Sequence, residues 1–502
     1  MSKGYIGKIL WVDLSEGKTW EERLGDGLYE QFIGGYGIAA KIIFERQAPG
    51  LERFDPDNII AIMSGLLTNG KALFNGRWML AGKSPLTDTW GDSNCGGNFA
   101  PALKGAGYDG IFIQGSSEKP VYLLVNGDTG TVSIEDASDL WGKMDAVETE
   151  RYLSCKHTPH FRTISIGSGG ENLSLISGVV NDRGRLAGRS GFGAAFGAKK
   201  LKAVCVRGTR AAPSHDDDLV WQHSQGLLKG LVENLNEFGQ TLKNCGTAGT
   251  LSNSAEGGDS PIKNWLGVGP IDFPSAMADK TNGFSVTEYE VNKYYCHGCP
   301  FGCGGICHAP TGKKFKAIQQ PEYETHRPEY ETLCGFGAQL LNDDLESIFT
   351  INELCNRAGI DTISCATTLN WAFEAFERGL ITLEKTGLRL EWGDSVAVVE
   401  LVRQIIENRG FGGQYLKDGV REALRLLKIE EANSGAMHVH GQELPMHDSR
   451  LEDGGLGLGI GYEVEPTPGR HTSTFPGIDA YTKDEIFNIA NPRSQVLKFQ
   501  TK

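Results

Sequence analysis

Residues 4–24, GYIGKILWVDLSEGKTWEERL, alternate apolar and polar side chains on either side of Ser15-Glu16-Gly17. Alternation with a period of two marks a strand, and a glycine-containing turn between two such runs predicts a hairpin. Outward from it, LYEQFIGGYGIAAKIIFERQ (28–47) reads as a helix broken by glycines and NIIAIMSG (58–65) as a buried strand. VYLLVNGDTGTVSIED (121–136) reads as a second hairpin, turning at Gly127-Asp128. From about Asp217 the pattern becomes helical, over residues 218–238, 343–359, 363–379, 395–410 and 415–427. Several of these runs end at a glycine, as helix C-termini do. The expected fold class is α+β, with a β-rich part over 1–210, a mainly helical part with a cysteine loop over 211–415, and a helical or irregular part over 416–502 that is expected to be incomplete at the C-terminus.

The chain has 502 residues, with 39% hydrophobic and 22% charged residues and a net charge of −14. This is long enough to bury a cofactor and excludes a peptide or a disordered scaffold. The acidic balance and the lack of a basic run argue against nucleic acid or an anionic membrane as partner. The start MSKGYIGKILWVDLSEG lacks the apolar core of a signal peptide, and no stretch approaches the ~18–20 apolar residues of a spanning helix. A cytoplasmic location is expected. Two quantities are unusual: 67 glycines that form no repeat, against a usual ~7%, and 11 cysteines.

Four of those cysteines lie in Cys296-His-Gly-Cys299-Pro-Phe-Gly-Cys303-Gly-Gly-Ile-Cys307. The spacing x2, x3 sets three thiolates on one loop, which suits three corners of an iron–sulfur cube and, less well, a tetrahedral zinc site. Unligated buried cysteines are a third reading. Cys307 is a candidate fourth ligand, the alternative being a residue further along. Cys303-x3-Cys307-His308 is one residue too long for a c-type haem attachment.

Nucleotide-binding patterns are nearly present but misplaced. Gly76 to Ser84 has one residue too many for a P-loop, Gly35-Tyr-Gly37 follows a helical pattern where a strand is needed, and Gly191 to Gly197 misses the spacing. Two other segments, Asn94-Cys-Gly-Gly97 and Asn181-Asp-Arg-Gly-Arg-Leu-Ala-Gly-Arg-Ser-Gly191, offer converging backbone amides and, in the second, three arginines. They suit a phosphorylated cofactor or, equally, tight turns with solvated arginines. A tandem duplication, Pro321-Glu-Tyr-Glu-Thr325 and Pro328-Glu-Tyr-Glu-Thr332, supplies Glu322, Glu324, Glu329 and Glu331; these and His447 are candidates for proton transfer.

Taken in order, Gly34-Gly-Tyr-Gly37, Asn75-Gly-Arg77, Ser93-Asn-Cys-Gly-Gly97 with Lys104-Gly-Ala-Gly-Tyr-Asp109, Arg185-Leu-Ala-Gly-Arg-Ser-Gly191, the cysteine loop, Pro-Glu-Tyr-Glu-Thr, Asn356-Arg-Ala-Gly-Ile-Asp-Thr-Ile-Ser364 and Glu443-Leu-Pro-Met-His-Asp-Ser-Arg450 resemble the tungsten-containing aldehyde ferredoxin oxidoreductase family. The resemblance spans nearly the whole chain. It implies a tungsten bis-pterin cofactor, magnesium bridging the pterin phosphates and a 4Fe-4S cluster. Carried over, Arg77, Asn94, Gly96, Arg185, Leu186, Gly188 and Arg189 contact the bis-pterin or its magnesium, and Asn356, Ile360 and Asp361 hold pterin rings. Cys296, Cys299 and Cys303 ligate the cluster, with Cys307 a possible fourth, and Glu329 and His447 match the acid–base residues.

Two departures stand out. Asn356 replaces the family's aspartate, and no cysteine follows Cys365 where the family has its fourth cluster ligand. The implied reaction oxidises an aldehyde to a carboxylic acid and passes electrons to ferredoxin or an iron–sulfur partner subunit, with a homo-oligomer possible. The alternatives are the tungsten subunit of a class II benzoyl-CoA reductase, with Cys334 as an added metal ligand, and a non-catalytic or truncated electron-transfer subunit.

Overall fold

In the computed structural model the opening alternation folds as a hairpin of β1 (Lys8–Asp13) and β2 (Lys18–Arg23), with Trp11 opposite Trp20. The structure describes residues 4–471 apart from 159, 213, 234, 311, 316–323, 433 and 452–454. With β3 (Ile60–Ser64), β4 (Trp78–Lys83), β5 (Trp90–Cys95) and β6 (Gly110–Gln114) the hairpin builds a six-stranded sheet in the order β2-β1-β6-β3-β4-β5. A second sheet comprises β7 (Val121–Asn126), β8 (Thr131–Asp136), β9 (Arg162–Ser165), β10 (Val179–Asn181), β11 (Arg185–Ala187) and β12 (Leu201–Arg207). Its order is β11-β10-β9-β12-β7-β8.

Alternation decides which core each side chain enters. Leu10 and Val12 of β1 join Ile60, Ile62, Leu123 and Val204 in a core shared by both sheets, while Ile9 and Trp11 face helices Asp26–Phe32 and Tyr36–Arg46 on the outer side. Gly34 and Gly35 separate those two helices, as the glycine-broken pattern predicts. Helix Phe99–Gly105 lies within the shared core, buried at every residue. That burial includes Lys104, whose ammonium donates to the carbonyls of Gly4, Gly65 and Leu66 at 2.7–2.9 Å. Three good acceptors replace water, and desolvation still pulls the lysine down to about 8. Outside the second sheet, Leu153 of helix Ala146–His157 packs on Tyr122, Ala203 and Cys205.

Contacts group the chain into two units. The first is residues 1–244 with two returning segments, Val291–Ile306 and Glu353–Asp361; the second is Cys245–Glu290, Cys307–Asn352 and Thr362–Lys502. The boundaries near 210 and 415 we keep as a proposal for folding units. The second unit is mainly helical around Thr362–Glu377, buried from Ser364 to Ala375 as a helix surrounded by others must be. The architecture is α+β, β-rich first and helical after. One detail differs from the sequence pattern: 218–238 is divided between helices Asp217–Glu233 and Glu237–Cys245. Among the described residues no helix is long and apolar enough to cross a membrane.

Candidate functional site

In the first unit β5 ends at Cys95 and runs into Gly96-Gly97. A Cβ on Gly96 would lie 2.5 Å from Cys296 Sγ, so the missing side chain is what lets the cysteine loop close on the sheet. Backbone bonds fasten it there. The His297 amide donates to the Gly97 carbonyl (3.2 Å), the Phe74 amide to Gly298 (2.8 Å) and the Cys299 amide back to Cys296 (3.1 Å). Gly298 and Gly302 take left-handed φ of 66° and 60°, making the turns between thiols. Cys296, Cys299 and Cys303 are half-buried.

Around this loop lie the glycine- and arginine-rich segments. Arg77, just before β4, donates its Nε to Asn94 Oδ1 (2.9 Å) on β5. Arg185 on β11 stacks over the Tyr294 ring at 5.0 Å, and the Tyr294 hydroxyl donates to Asp182 (2.5 Å). Burial pushes the Cys95 thiol up to about 11 although the charges of Arg185 and Arg77 pull it down. Both guanidiniums are therefore within electrostatic reach of the end of β5. Asp182, Arg183 and Gly184 have successive positive φ of 46°, 65° and 134°, folding the β10–β11 turn tightly. Asn181 donates Nδ2 to the Gly96 carbonyl (3.2 Å), while its buried Oδ1 has no hydrogen-bond partner among the described residues.

The returning segment Glu353–Asp361 completes the group. Asp361 donates its amide to the Ile176 carbonyl (2.9 Å), Ile360 bridges to Ser177, and Gly184 lies against Asn356, where a Cβ would come within 3.2 Å. Arg189 Nη1 faces Asp361 Oδ2 at 3.8 Å, both side chains largely buried. Gly188 fits between Asp361 and Leu186. The structure thus gathers Arg185, Leu186, Gly188, Arg189, Asn356, Ile360 and Asp361 about the β10–β11 turn. It sets Gly96 against Cys296 and pairs Arg77 with Asn94 on β5, with β11 packed on β5.

In the second unit the two glutamates of the second duplicated copy part company. Glu329, just before helix Tyr330–Phe336, accepts from the Thr247 hydroxyl (2.5 Å). It is Glu331, not Glu329, whose carboxylate faces His447: Oε1 lies 3.6 Å from His447 Nε2 and 3.6 Å from His471 Nε2. Its Oε2 accepts the Met446 amide (2.9 Å). His447 Nδ1 lies 2.9 and 3.0 Å from the two oxygens of Asp259, and the Tyr330 ring stacks on the imidazole at 5.0 Å. Burial lowers the His447 pKa, but the Asp259 bond and the negative charges of Glu331 and Asp259 outweigh it and leave it raised.

Asp259 and His471 escape the sequence reading, and Glu331 appears there only as one of four carboxylates. Glu324 is exposed, and Pro321–Tyr323 of the first copy lie outside the described residues. Cys334 is wholly buried in helix Tyr330–Phe336, its thiol 3.9 Å from the Pro261 carbonyl and pushed well up by desolvation. It packs as a small apolar residue.

Residues 9–208 match the family model for the aldehyde ferredoxin oxidoreductase N-terminal domain and residues 228–499 that for its domains 2 and 3. The tungsten-containing aldehyde ferredoxin oxidoreductase of Pyrococcus furiosus is 33% identical over 94% of this chain and 74% of its own length; that of Thermococcus kodakarensis is 32% identical with the same coverage. The WOR-like subunit of an aliphatic sulfonate oxidoreductase of P. furiosus is 30% identical over 94% of the chain and 75% of its own length. In fold the chain is similar to a chain of the active site complex BamBC of benzoyl coenzyme A reductase in complex with 1,5-dienoyl-CoA. There the TM-score is 0.79 at 24% identity, covering 93% of this chain and 70% of that one. With two family models covering most of its length and relatives above 30% identity, the chain belongs to the aldehyde ferredoxin oxidoreductase family of enzymes.

Proposed function

We propose that the chain oxidises an aldehyde to a carboxylic acid, holding tungsten in a magnesium-bridged bis-pterin together with a 4Fe-4S cluster, and passes electrons to ferredoxin or an iron–sulfur partner subunit. The observation that carries this reading is the closure of the cysteine loop on Gly96, which brings thiols, arginines and glycine-rich turns into one neighbourhood.

The residues fit such groups. Around one tetrahedral zinc, thiolates sit about 3.8 Å apart. Among the described residues the one group of three ligand-type side chains with all ligand atoms within 4.8 Å is Glu331, His447 and His471. Cys296, Cys299 and Cys303 share one half-buried loop closed by backbone hydrogen bonds, a spacing that suits three corners of a cluster. Cys307 we leave out of the set, because strand Gly304–Cys307 carries it along at about 3.3 Å per residue into a buried position. Arg77, Arg185 and Arg189 supply donors for phosphate oxygens, the orphaned Asn181 Oδ1 offers an acceptor, and Asn356, Ile360 and Asp361 supply the wall against the pterin rings.

Bound, the metal centre supplies two-electron redox chemistry and the cluster one-electron transfer. Converting an aldehyde and one water to a carboxylic acid releases two protons and two electrons. We assign the handling of a proton to His447 Nε2 and Glu331 Oε1, which face one another, and not to Glu329, which is held by Thr247. The ring-reductase alternative draws no support from Cys334, whose buried thiol faces the Pro261 carbonyl at 3.9 Å.

Anaerobically purified protein should contain one tungsten, about four iron and about four acid-labile sulfide per chain, and should reduce a viologen dye when given an aldehyde. Stoichiometric zinc without sulfide, or no aldehyde-dependent reduction, would overturn the reading.

A further inference from the structure

We propose that Asp259 is the positioning residue for His447: it fixes the imidazole with Nδ1–H towards its own carboxylate and so aims Nε2 at the oxygen of Glu331 that His471 also faces. The inference rests on the assignment of proton handling to His447 and Glu331.

The geometry is specific. Both Asp259 oxygens lie within hydrogen-bond distance of Nδ1, and both side chains are largely buried. A carboxylate accepts and does not donate, so the proton on that side of the ring is on Nδ1. In the neutral ring Nε2 then carries the lone pair, and in the cation it is a second donor.

Asp259 is itself held on several sides. Its carbonyl accepts the Asp448 amide at 2.7 Å, which ties it to the segment carrying His447. The next residue, Ser260, shares a hydrogen bond with the Tyr330 hydroxyl (2.9 Å), and that hydroxyl donates to the Met446 carbonyl (2.6 Å). Beyond it Lys263, Asn264 and Trp265 take successive left-handed φ of 49°, 50° and 64°, a conformation costly for residues with side chains. Asn264 is buried there and donates to the Gly435 carbonyl (2.9 Å). The loop is thus bent and anchored at the place that delivers one carboxylate to one imidazole.

The far side of the ring completes the arrangement. Among the described residues, the charged and titratable groups facing His447 include Asp259 on Nδ1, Glu331 and His471 towards Nε2, and Tyr330 against the ring face, with Cys334 beside Tyr330. Tyr462 donates its hydroxyl to the His447 carbonyl (2.9 Å) and fixes the backbone. Two carboxylates flank the ring, so the cation is favoured, and Asp259 contributes more directly because its bond is short.

The test uses the full chain labelled with 15N-histidine. Two-bond proton–nitrogen correlation reports which ring nitrogen carries the proton, and the His447 signals are those lost in His447→Gln. Wild-type protein should show His447 protonated at Nδ1, whatever the bound groups or activity. In Asp259→Asn its pKa should fall by about one unit or more, and the limb of the pH–kcat profile that reports His447 should move by the same amount, while Asp259→Glu restores part of both.

A wild-type His447 whose Nδ1 lacks the proton would overturn the proposal without any variant, so a misfolded Asp259→Asn leaves it decided. An unchanged His447 titration in a folded Asp259→Asn would overturn it as well. If the tautomer and its shift appear in a protein that oxidises no aldehyde, the functional reading fails while the positioning stands.

Discussion

Glu329 is the N-cap of helix Tyr330–Phe336, with extended backbone, while Glu331 sits in the helix's first turn, so the two side chains leave the chain in different directions. One carboxylate therefore closes on Thr247 while the other reaches His447. Glu331→Gln should lower kcat for aldehyde oxidation by about 100-fold or more. Glu329→Gln should leave kcat within about threefold and lower stability by about 1 kcal/mol through the weakened Thr247 bond, both read by steady-state kinetics and urea unfolding. At Gly96 the neighbour is Cys296 Sγ, so Gly96→Ala should displace the loop and reduce bound iron, measured on anaerobically purified protein, with about 1–3 kcal/mol lost to overpacking. The loop was legible in the sequence because its thiols and glycines are spaced locally. The residues around His447 were not: Asp259 precedes it by 188 positions, and no period or spacing links them.

At the scale of elements, long periodic helices and alternating hairpins could be read from their own residues, whereas β4, β5 and helix Phe99–Gly105 could not. WMLAGK and WGDSNC do not alternate cleanly, and they become strands because β3 and each other supply the ladder. Helix Phe99–Gly105 is buried on all sides and so shows no polar stripe. Helix Ala146–His157 begins with a capping box of Asp145 and Glu148, and Asp145 also accepts from Arg357 Nη1 (2.9 Å) on a returning segment. Asp145→Asn keeps a good cap and loses only the ion pair; Asp145→Ala loses both and should cost about 1 kcal/mol more in denaturant unfolding.

The same helix carries Glu150, which accepts the Arg183 amide (2.8 Å) at the left-handed turn and is pushed up to about 7 by burial, with Asp182 adding to the shift. Because the folded state holds this proton more tightly than the unfolded chain does, Glu150 takes stability away as pH rises from about 4.5 to about 7. Glu150→Gln should therefore gain stability over the wild type at pH 8 relative to pH 4.5, as urea midpoints at the two values would show.

For the whole molecule, the inserted segment Val291–Ile306 contributes most of the cysteine loop to the first unit. Ligands that hold a cluster also hold the fold. Replacing Cys296, Cys299 and Cys303 together by serine should lower the calorimetric transition of the first unit more than that of the second, and separate the two where the wild type shows them closer.

The discontinuity of that first unit also sets an order of events during synthesis. Residues 1–244 leave the ribosome first, yet the unit they begin is finished only when Asp361 has emerged. At about 5–20 residues per second the two sheets wait about 6–23 s with the β10–β11 turn lacking its Asn356–Asp361 wall. For that interval the nascent chain presents an open cradle, so timed arrest of translation before and after residue 361 would reveal whether insertion of the cofactor happens on the growing polypeptide or after its release.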